Sequence, residues 1–168
     1  SSRQGKGRQR MNKFQLALHN PILVAPILGW LTAQILKVII HLCMTKKWNW
    51  ERVVGGGGMP SSHSATVGGL ATVAFLQFGP DSFEFAISAI FAFIVMYDAM
   101  NVRLETGKQG AILNVLIKNE DIKAKLDQTS RDKWGETILK EYVGHTPSQV
   151  TVGLILGIII GVVVFYNL

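Results

Sequence analysis

Four apolar stretches alternate with polar segments along the 168 residues of the chain. They cover about 21–44, 62–79, 82–101 and 148–167. A helix needs roughly 20 apolar residues to cross the hydrocarbon of a bilayer. The first stretch has that length, and the other three reach it with their flanks. The pattern therefore predicts an all-α integral membrane bundle of four transmembrane helices.

A long polar segment, 104–144, separates the third and fourth apolar stretches. Apolar residues recur in it at helical spacing among many charges; they are Ile122, Leu126, Trp134, Ile138 and Tyr142. We expect an amphipathic helical segment on the cytoplasmic membrane surface. Residues 1–10, polar and rich in Gly and Arg, are interpreted as a disordered expression-vector scar. The remainder, 11–168, then forms a single membrane domain.

Composition supports the membrane prediction and excludes several classes of protein. Apolar residues make up 48% of the chain and charged residues 17%, which is too apolar for a soluble domain of this size. Four cations of the +6 net charge lie in 1–10, and the others are dispersed, so no nucleic-acid partner is expected. One cysteine, Cys43, excludes an intramolecular disulfide and a cysteine-built metal site.

Lysine and arginine concentrate on one side of the predicted topology. With four spans, the loop 45–60 and the segment 103–144 face the same side and together hold eleven Lys and Arg residues. The opposite side has Lys13 and the acidic turn 79–84. Basic loops are retained in the cytoplasm. The chain is therefore predicted to be a multi-pass protein of the cell membrane with both basic regions in the cytoplasm.

A run of glycines, followed by Met-Pro-Ser-Ser-His63, leads into the second apolar stretch. Glycines let backbone amides approach a ligand, and the N-terminus of a helix offers unpaired N–H groups to an anion. The segment predicts a phosphate site. Its binding residues would be Gly57, Gly58, Ser61 and Ser62. In the alternative interpretation, the loop is merely flexible and Ser61 or Ser62 caps a helix.

Other reactive residues belong to the same membrane face. His145 precedes the fourth stretch, and Asp98 and Arg103 close the third, although Asp98 could simply mark the water boundary. Lys37 lies within the first stretch, where an ionisable residue usually points into the bundle. It could instead snorkel to the headgroups. His41, one turn further on, fits a packing role at the interface.

The predicted topology thus gathers two cations, two histidines and a carboxylate at one face. They are Lys37, Arg103, His63, His145 and Asp98. Cations can hold a phosphate group, and histidines can act as nucleophile and as acid or base. The combination predicts a phosphoryl-transfer centre that works without a metal.

Three motifs carry a resemblance to a known family. They are Gly-Gly-Met-Pro-Ser-Ser-His63-Ser-Ala, the segment from Asp98 to Gly110, and Gly144-His-Thr-Pro-Ser-Gln-Val. The chain resembles the divergent branch of the type 2 phosphatidic acid phosphatase superfamily, described as acid phosphatase/vanadium-dependent haloperoxidase-related. The resemblance extends from Met11 to the C-terminus.

The resemblance implies a role for each motif residue. His145 would be the nucleophile that forms a phosphohistidine, and His63 the general acid that protonates the leaving oxygen. Lys37 and Arg103 would neutralise phosphate oxygens, with Ser62 and the glycine loop completing the cradle. The implied substrate is a lipid phosphate of the bilayer. No cofactor is expected, and vanadate should inhibit as a phosphate mimic.

The chain departs from the superfamily pattern in ways that concern catalysis. Gln149 stands where an Asp usually follows the nucleophilic histidine, and it cannot be an anionic partner. Asp98, on the neighbouring helix, is the candidate replacement. Arg103 and His145 are about forty residues apart rather than a handful. Four spans are also fewer than usual, so the site could be completed by surface helices or by a partner subunit in a homodimer.

The leading functional expectation is a membrane-embedded, metal-independent lipid phosphate phosphatase. The alternative is a catalytically inactive lipid-phosphate binding or transport protein that kept the anion site. A purely structural membrane subunit is a third hypothesis. Haloperoxidase activity, which the family description suggests, is less favoured because a site at a membrane surface suits amphiphilic substrates better.

Overall fold

The computed structural model describes residues 13–46, 57–119 and 144–168. Within these ranges every regular element is an α-helix, which confirms the all-α prediction for this part of the chain. The helices are α1 (Lys13–Leu18), α2 (Pro21–Thr45), α3 (Ser62–Phe78), α4 (Phe83–Met100), α5 (Val102–Lys118) and α6 (Pro147–Asn167). The predicted scar at 1–10 and residues 120–143 of the predicted surface segment lie outside the described residues.

Three helical stretches of the described residues are long and apolar enough to cross a membrane. They are Pro21–Thr45, Phe83–Lys118 and Pro147–Asn167. The second predicted span is also helical, but α3 has only 17 residues and is shorter than these. The apolar surfaces of the three long stretches point to a bilayer environment.

Local sequence signals explain where the helices begin and end. The Asn20 side chain accepts the N–H of Ile22 at 3.0 Å, and Pro21 occupies the first turn of α2, where no hydrogen-bond donor is needed. The helix ends at Thr45, and the next residue, Lys46, caps it in a left-handed conformation. At α6, Thr146 and Gln149 form a reciprocal capping box.

Helix α4 runs almost directly into α5, whereas the sequence predicted a span at 82–101 and a separate segment from 104. Hydrogen bonds continue through the junction: the Asn101 N–H donates to Tyr97 at 3.0 Å, and the Glu105 N–H donates to Asn101 at 2.9 Å. The residues of α5 are mostly good helix formers. The change from apolar to polar composition therefore does not break the helix.

Helix α3 packs against α2, α4 and α6. Its Ala65 is fully buried, and glycines approach it from two sides. A Cβ atom on Gly29 of α2 would lie 2.7 Å from the Ala65 carbonyl oxygen, and one on Gly157 of α6 would also collide with that oxygen. Small residues let helix backbones approach closely in a membrane. The three helices therefore pack as one tight unit.

The glycine contacts fix the direction and register of these helices. Along α6, Gly153 and Gly157 face Ser61 and Ala65 of α3, so the two helices run parallel. On α2, Gly29 faces Ala65 while the earlier Ala25 faces Gly69, so α2 runs antiparallel to α3. The last turns of α2 therefore lie at the end of the bundle where α3 and α6 begin.

Candidate functional site

Buried polar side chains concentrate at the end of the bundle where α3 and α6 begin. Most of the buried polar residues in the described ranges belong to this end; they are Lys37, Ser61, Ser62, Ser64 and His145. Burying a polar group costs free energy unless it is hydrogen-bonded. Their contacts decide which of them are structural and which are available for chemistry.

The backbone around His145 is anchored to the junction of α4 and α5. The His145 N–H donates to the Ala99 carbonyl at 3.0 Å. The preceding Gly144 packs so closely on Leu104 that a Cβ atom there would collide with the backbone. His145 itself is 0% exposed. The ring is therefore held at a fixed position between α4 and α6.

The His145 ring has one partnered nitrogen and one unpartnered nitrogen. Its Nδ1 lies 3.2 Å from Oε1 of Gln149, and the same oxygen accepts the Thr146 backbone N–H at 3.2 Å. Because a backbone N–H requires an acceptor, the amide atom between them is the oxygen, and Nδ1 carries the proton. Nε2 is buried and has no hydrogen-bond partner among the described residues. Nε2 therefore has a free lone pair.

His63, the second residue of α3, lies beside His145. The two ring centroids are 5.8 Å apart and the ring planes are inclined by 68°. Nδ1 of His63 is also buried without a hydrogen-bond partner in the described part of the chain. The structure thus brings the two predicted catalytic histidines together, each with an unpaired nitrogen.

The surroundings of His145 keep its ring neutral. Burial is the main cause that lowers the pKa of His145, to about 4, and the positive charge of Lys37, with that of His63 when it is protonated, acts in the same direction. The Gln149 oxygen, which accepts a hydrogen bond from Nδ1, and the nearby Gly58 backbone favour the protonated ring but do not outweigh burial. At neutral pH the imidazole is therefore neutral, and with its one proton on Nδ1, beside the Gln149 oxygen, Nε2 is unprotonated.

Lys37 points into the bundle rather than snorkelling to the headgroups. It is 3% exposed, and its Nζ donates a hydrogen bond of 2.8 Å to Oε1 of Gln34. Lys37 and Gly58 of the glycine loop line the same cavity. Gly58 has φ of 97°, a conformation that favours glycine. A buried cation thus lies beside the glycine loop.

The two serines of the glycine loop differ in position. The Ser61 hydroxyl caps α3, accepting from the Ser64 N–H at 3.3 Å and from the Ser64 hydroxyl at 3.0 Å. Its backbone N–H donates to the Gln149 carbonyl at 3.0 Å, which ties the loop to α6. Capping, the alternative interpretation of this loop, thus describes Ser61. Ser62 begins the helix and is buried.

Asp98 and Arg103 form an ion pair at the edge of the site. The Arg103 Nε lies 2.7 Å from Oδ2 of Asp98, and both side chains are partly exposed. Both lie close enough to His63 to act on its charge. The Asp98 carboxylate is thus paired with Arg103. The group that contacts Nδ1 of His145 is the oxygen of Gln149.

A cavity of about 310 Å³ adjoins these residues. Its lining combines polar groups of the site with apolar side chains from the last turns of α2 and from the glycine loop; it comprises Lys37, Ile40, His41, Met44, Thr45, Gly58, Met59 and Gln149. Nε2 of His41 lies 3.3 Å from the Thr45 hydroxyl. The cavity can therefore hold a polar group near Lys37 and apolar groups beside it.

Sequence reasoning missed two supports of the site. One is the Ala99 carbonyl, which holds the His145 backbone and has no signature in the sequence. The other is the oxygen of Gln149, which was interpreted only as a missing carboxylate. Its signal was present: Thr146 followed by Gln149 at the start of an apolar stretch is a capping-box pattern. That pattern predicts a side chain folded back over the helix start.

Comparisons with known proteins agree with these motifs. A sequence profile described as "Divergent PAP2 family" matches residues 18–160. The "Uncharacterized membrane protein YuiD" of Bacillus subtilis (strain 168) is 39% identical over 152 residues, which cover 89% of this chain and 96% of that protein. No solved structure matches the chain significantly. Because the profile covers most of the sequence and the relative aligns along nearly its whole length, the chain belongs to the Divergent PAP2 family.

Proposed function

We propose that this protein is a membrane-embedded, metal-independent phosphatase that hydrolyses a lipid phosphate through a phosphohistidine on His145. One observation carries the proposal: Nε2 of a fully buried histidine is unpaired beside a second histidine and a buried lysine. A buried unpaired polar atom costs about 1–3 kcal/mol. A reaction of this atom with a ligand would explain why the fold leaves it unpaired despite the cost. Family membership supports a phosphatase-related role.

The proposed reaction has two steps. Nε2 of His145 attacks phosphorus, and the N–P bond forms as the P–O bond to the lipid alcohol breaks. The leaving oxygen takes the electron pair and a proton from His63. Water then attacks phosphorus, the N–P electron pair returns to Nε2, and His63 takes the proton from the water. The products are inorganic phosphate and the lipid alcohol, or inorganic phosphate and the lipid monophosphate where the substrate is a diphosphate.

Cations and backbone amides stabilise the phosphoryl group in this reaction. Lys37 and Arg103 neutralise its non-bridging oxygens, and the backbone of Gly57 and Gly58 with Ser62 forms the cradle. Because the Ser61 hydroxyl caps α3, Ser61 contributes by holding the loop. Asp98 acts on Arg103, with which it forms an ion pair, and sets the direction of its guanidinium group.

The cavity supports an amphiphilic substrate. Lys37 and Gln149 lie in it together with Ile40, Met44 and Met59. A free sugar phosphate would place its hydroxyl groups against these apolar side chains. The first part of the apolar tail of a lipid phosphate would contact them favourably. The substrate class is therefore a phosphate monoester or diphosphate with an apolar tail.

The proposal includes four spans and a cytoplasmic site in the cell membrane. Helix α3 would cross the bilayer with its flanking residues, packed between the longer helices α2 and α6. The basic residues of 45–60 and 103–144 favour the cytoplasm for the end that carries the site. The polar residues after α5 would lie on that membrane surface.

A panel of lipid phosphates tests the proposal. Purified protein in detergent should release phosphate from phosphatidate, phosphatidylglycerophosphate or a polyprenyl phosphate in the presence of a chelator. Vanadate should inhibit this release. His145→Gln, which keeps the volume of the side chain, should lower turnover at least about 1,000-fold. Wild-type activity in that variant would exclude His145 as the nucleophile.

The second candidate function is lipid-phosphate binding or transport without turnover. The neutral Gln149 beside His145 favours it, because an amide stabilises a positively charged ring less than a carboxylate would. This function predicts lipid-phosphate binding with no phosphate release in the wild type. Binding would then survive in His145→Gln and weaken in Lys37→Met.

A further inference from the structure

Gln149 makes three contacts at the junction between the glycine loop and α6. Its Oε1 lies 3.2 Å from Nδ1 of His145 and 3.2 Å from the Thr146 backbone nitrogen. Its backbone carbonyl accepts the Ser61 N–H at 3.0 Å. The start of α6 therefore holds the side-chain oxygen of Gln149, and the loop holds its backbone. Its oxygen is fixed before any ligand binds.

We infer that Gln149 is a positioning residue that fixes the tautomer of His145. Its oxygen holds the ring proton on Nδ1 and leaves Nε2 as the free nitrogen, without supplying a negative charge that attracts a second proton. The catalytic consequence rests on the proposed phosphohistidine mechanism. The tautomer itself rests only on the contacts of Gln149.

The neutral acceptor changes the chemistry of the ring. A carboxylate at the same place would stabilise the doubly protonated imidazole. With a proton on Nε2, no lone pair is available to form the N–P bond. An amide oxygen orients the ring while leaving Nε2 unprotonated to a lower pH. When Nε2 attacks phosphorus, the proton stays on Nδ1, and the ring carries positive charge until the N–P bond breaks.

The charges around His145 act in the same direction as this neutral acceptor. Lys37 approaches from α2 and His63 from α3, and both disfavour a second proton on His145. At the junction of α4 and α5, the Asp98 carboxylate is paired with Arg103. Gln149 completes the surroundings of the ring from α6. Among the described residues no carboxylate contacts His145, and the side-chain acceptor at its Nδ1 is the Gln149 oxygen.

Two substitutions and one control separate positioning from helix capping. Gln149→Glu supplies a carboxylate of the same shape and keeps the capping box, since Glu suits this position. Gln149→Leu keeps the size and removes the acceptor. Thr146→Ala is the matched control, because it removes the hydroxyl that caps α6 and leaves the Gln149 oxygen in place. It should lower stability by about 1 kcal/mol.

The decisive measurement is ¹⁵N NMR of histidine-labelled protein in micelles, with the His145 signals assigned by their absence from His145→Gln. In the wild type and in Thr146→Ala, Nδ1 should carry the proton and Nε2 should not. Gln149→Glu should keep that tautomer and raise the pKa of His145 by about 1 to 3 units. Gln149→Leu should give a mixture of tautomers.

Kinetics supply the second readout. Gln149→Glu should move the acid limb of the kcat/KM profile to higher pH by the same amount. Gln149→Leu should lower kcat by about 10- to 100-fold with little change in KM. Thr146→Ala should keep the wild-type pH profile.

Specific results would overturn the inference. One is a wild-type His145 protonated on Nε2; another is an unchanged His145 titration in Gln149→Glu. If the wild type shows the expected tautomer but neither hydrolyses lipid phosphates nor becomes phosphorylated, the proposed function fails while the role of Gln149 stands.

Discussion

The two ends of the bundle bury different kinds of side chain. Where α3 and α6 begin, Lys37, Ser61 and His145 are buried. Towards the other end, the buried cluster comprises Ala25, Val73 and Val164. Both ends are covered by the same three helices, so the same packing encloses an apolar core and a polar site.

This difference separates stability from function. Apolar packing contributes roughly 25 cal/mol for each Å² removed from water, and in a membrane the close approach of helices adds van der Waals contact. Buried polar groups cost free energy unless they are paired. Substitutions at helix contacts should therefore unfold the protein. Apolar substitutions at the polar end should leave it folded but inactive.

The largest effect is expected at the tight contact between α3 and α6. In Gly157→Leu the new side chain would collide with the Ala65 backbone, and the helices must separate. We expect a loss of about 3 kcal/mol or more of stability, measured as a lower Tm by circular dichroism in detergent. Ile159→Leu, at an exposed position of the same helix, should leave Tm unchanged. An unaltered Tm in Gly157→Leu would show that this contact does not hold the bundle.

The next largest effect is expected at the polar end, where a substitution should lower activity without lowering stability. Lys37→Met keeps the length of the side chain and removes its buried charge. We expect phosphate release to fall about 100-fold, since an electrostatic contact to a reacting group contributes about 2.7–4 kcal/mol. Tm should stay constant or rise, because burying a charge is costly.

Lys118→Met, at an exposed cation of α5, serves as the control and should change neither activity nor Tm. If Lys37→Met unfolded the protein instead, the separation between a stabilising end and a functional end would be wrong.

The helices could be predicted from sequence because their signals are local. Apolar length and caps such as Asn20 and Thr146 depend on neighbouring residues, and the structure has helices at all four predicted stretches. The boundary at 101 was less predictable. Composition changes there, but helix propensity does not, so α4 and α5 adjoin. Polarity alone does not end a helix.

The site could be predicted only in part. Motifs indicated His63 and His145, and the structure brings their rings together. The capping-box pattern of Thr146 and Gln149 predicts a side chain folded back over the start of α6. Its contact with His145, however, also depends on the ring position, which the Ala99 carbonyl holds from a distant part of the chain.

Asp98 was the expected replacement for the missing carboxylate. Its carboxylate instead pairs with Arg103, which lies five positions further along the chain. Local pairing thus competes with a longer-range contact.

A smaller effect concerns the pH dependence of stability. The folded protein keeps His145 neutral down to a pKa of about 4, whereas the unfolded chain binds that proton near pH 6.5. Stability should therefore decrease as pH falls from 6.5 towards 4, with a slope of at most about 1.4 kcal/mol per pH unit. Tm measured across this range tests the prediction. His145→Gln should reduce the slope, and an equal slope in both proteins would contradict it.

The smallest effect is expected at the exposed edge of the site. Asp98→Asn removes the partner of Arg103 in a pair whose side chains are 45% and 40% exposed. Such pairs contribute about 0–1 kcal/mol to stability, so Tm should hardly change. A less constrained Arg103 should raise KM by a few-fold at constant kcat. Glu105→Gln, which breaks the exposed pair with Lys108, is the control and should leave KM unchanged. A large fall in kcat in Asp98→Asn would instead indicate that the carboxylate acts on a reacting histidine.

Direct detection of the phosphohistidine tests the central proposal. Protein mixed with ³²P-labelled lipid phosphate is quenched in alkali, where phosphohistidine is stable, and the acid-labile label is mapped by mass spectrometry. The wild type should carry the label on His145 and His145→Gln should carry none. Label on another residue, or lipid phosphate hydrolysis at the wild-type rate in His145→Gln, would contradict the mechanism.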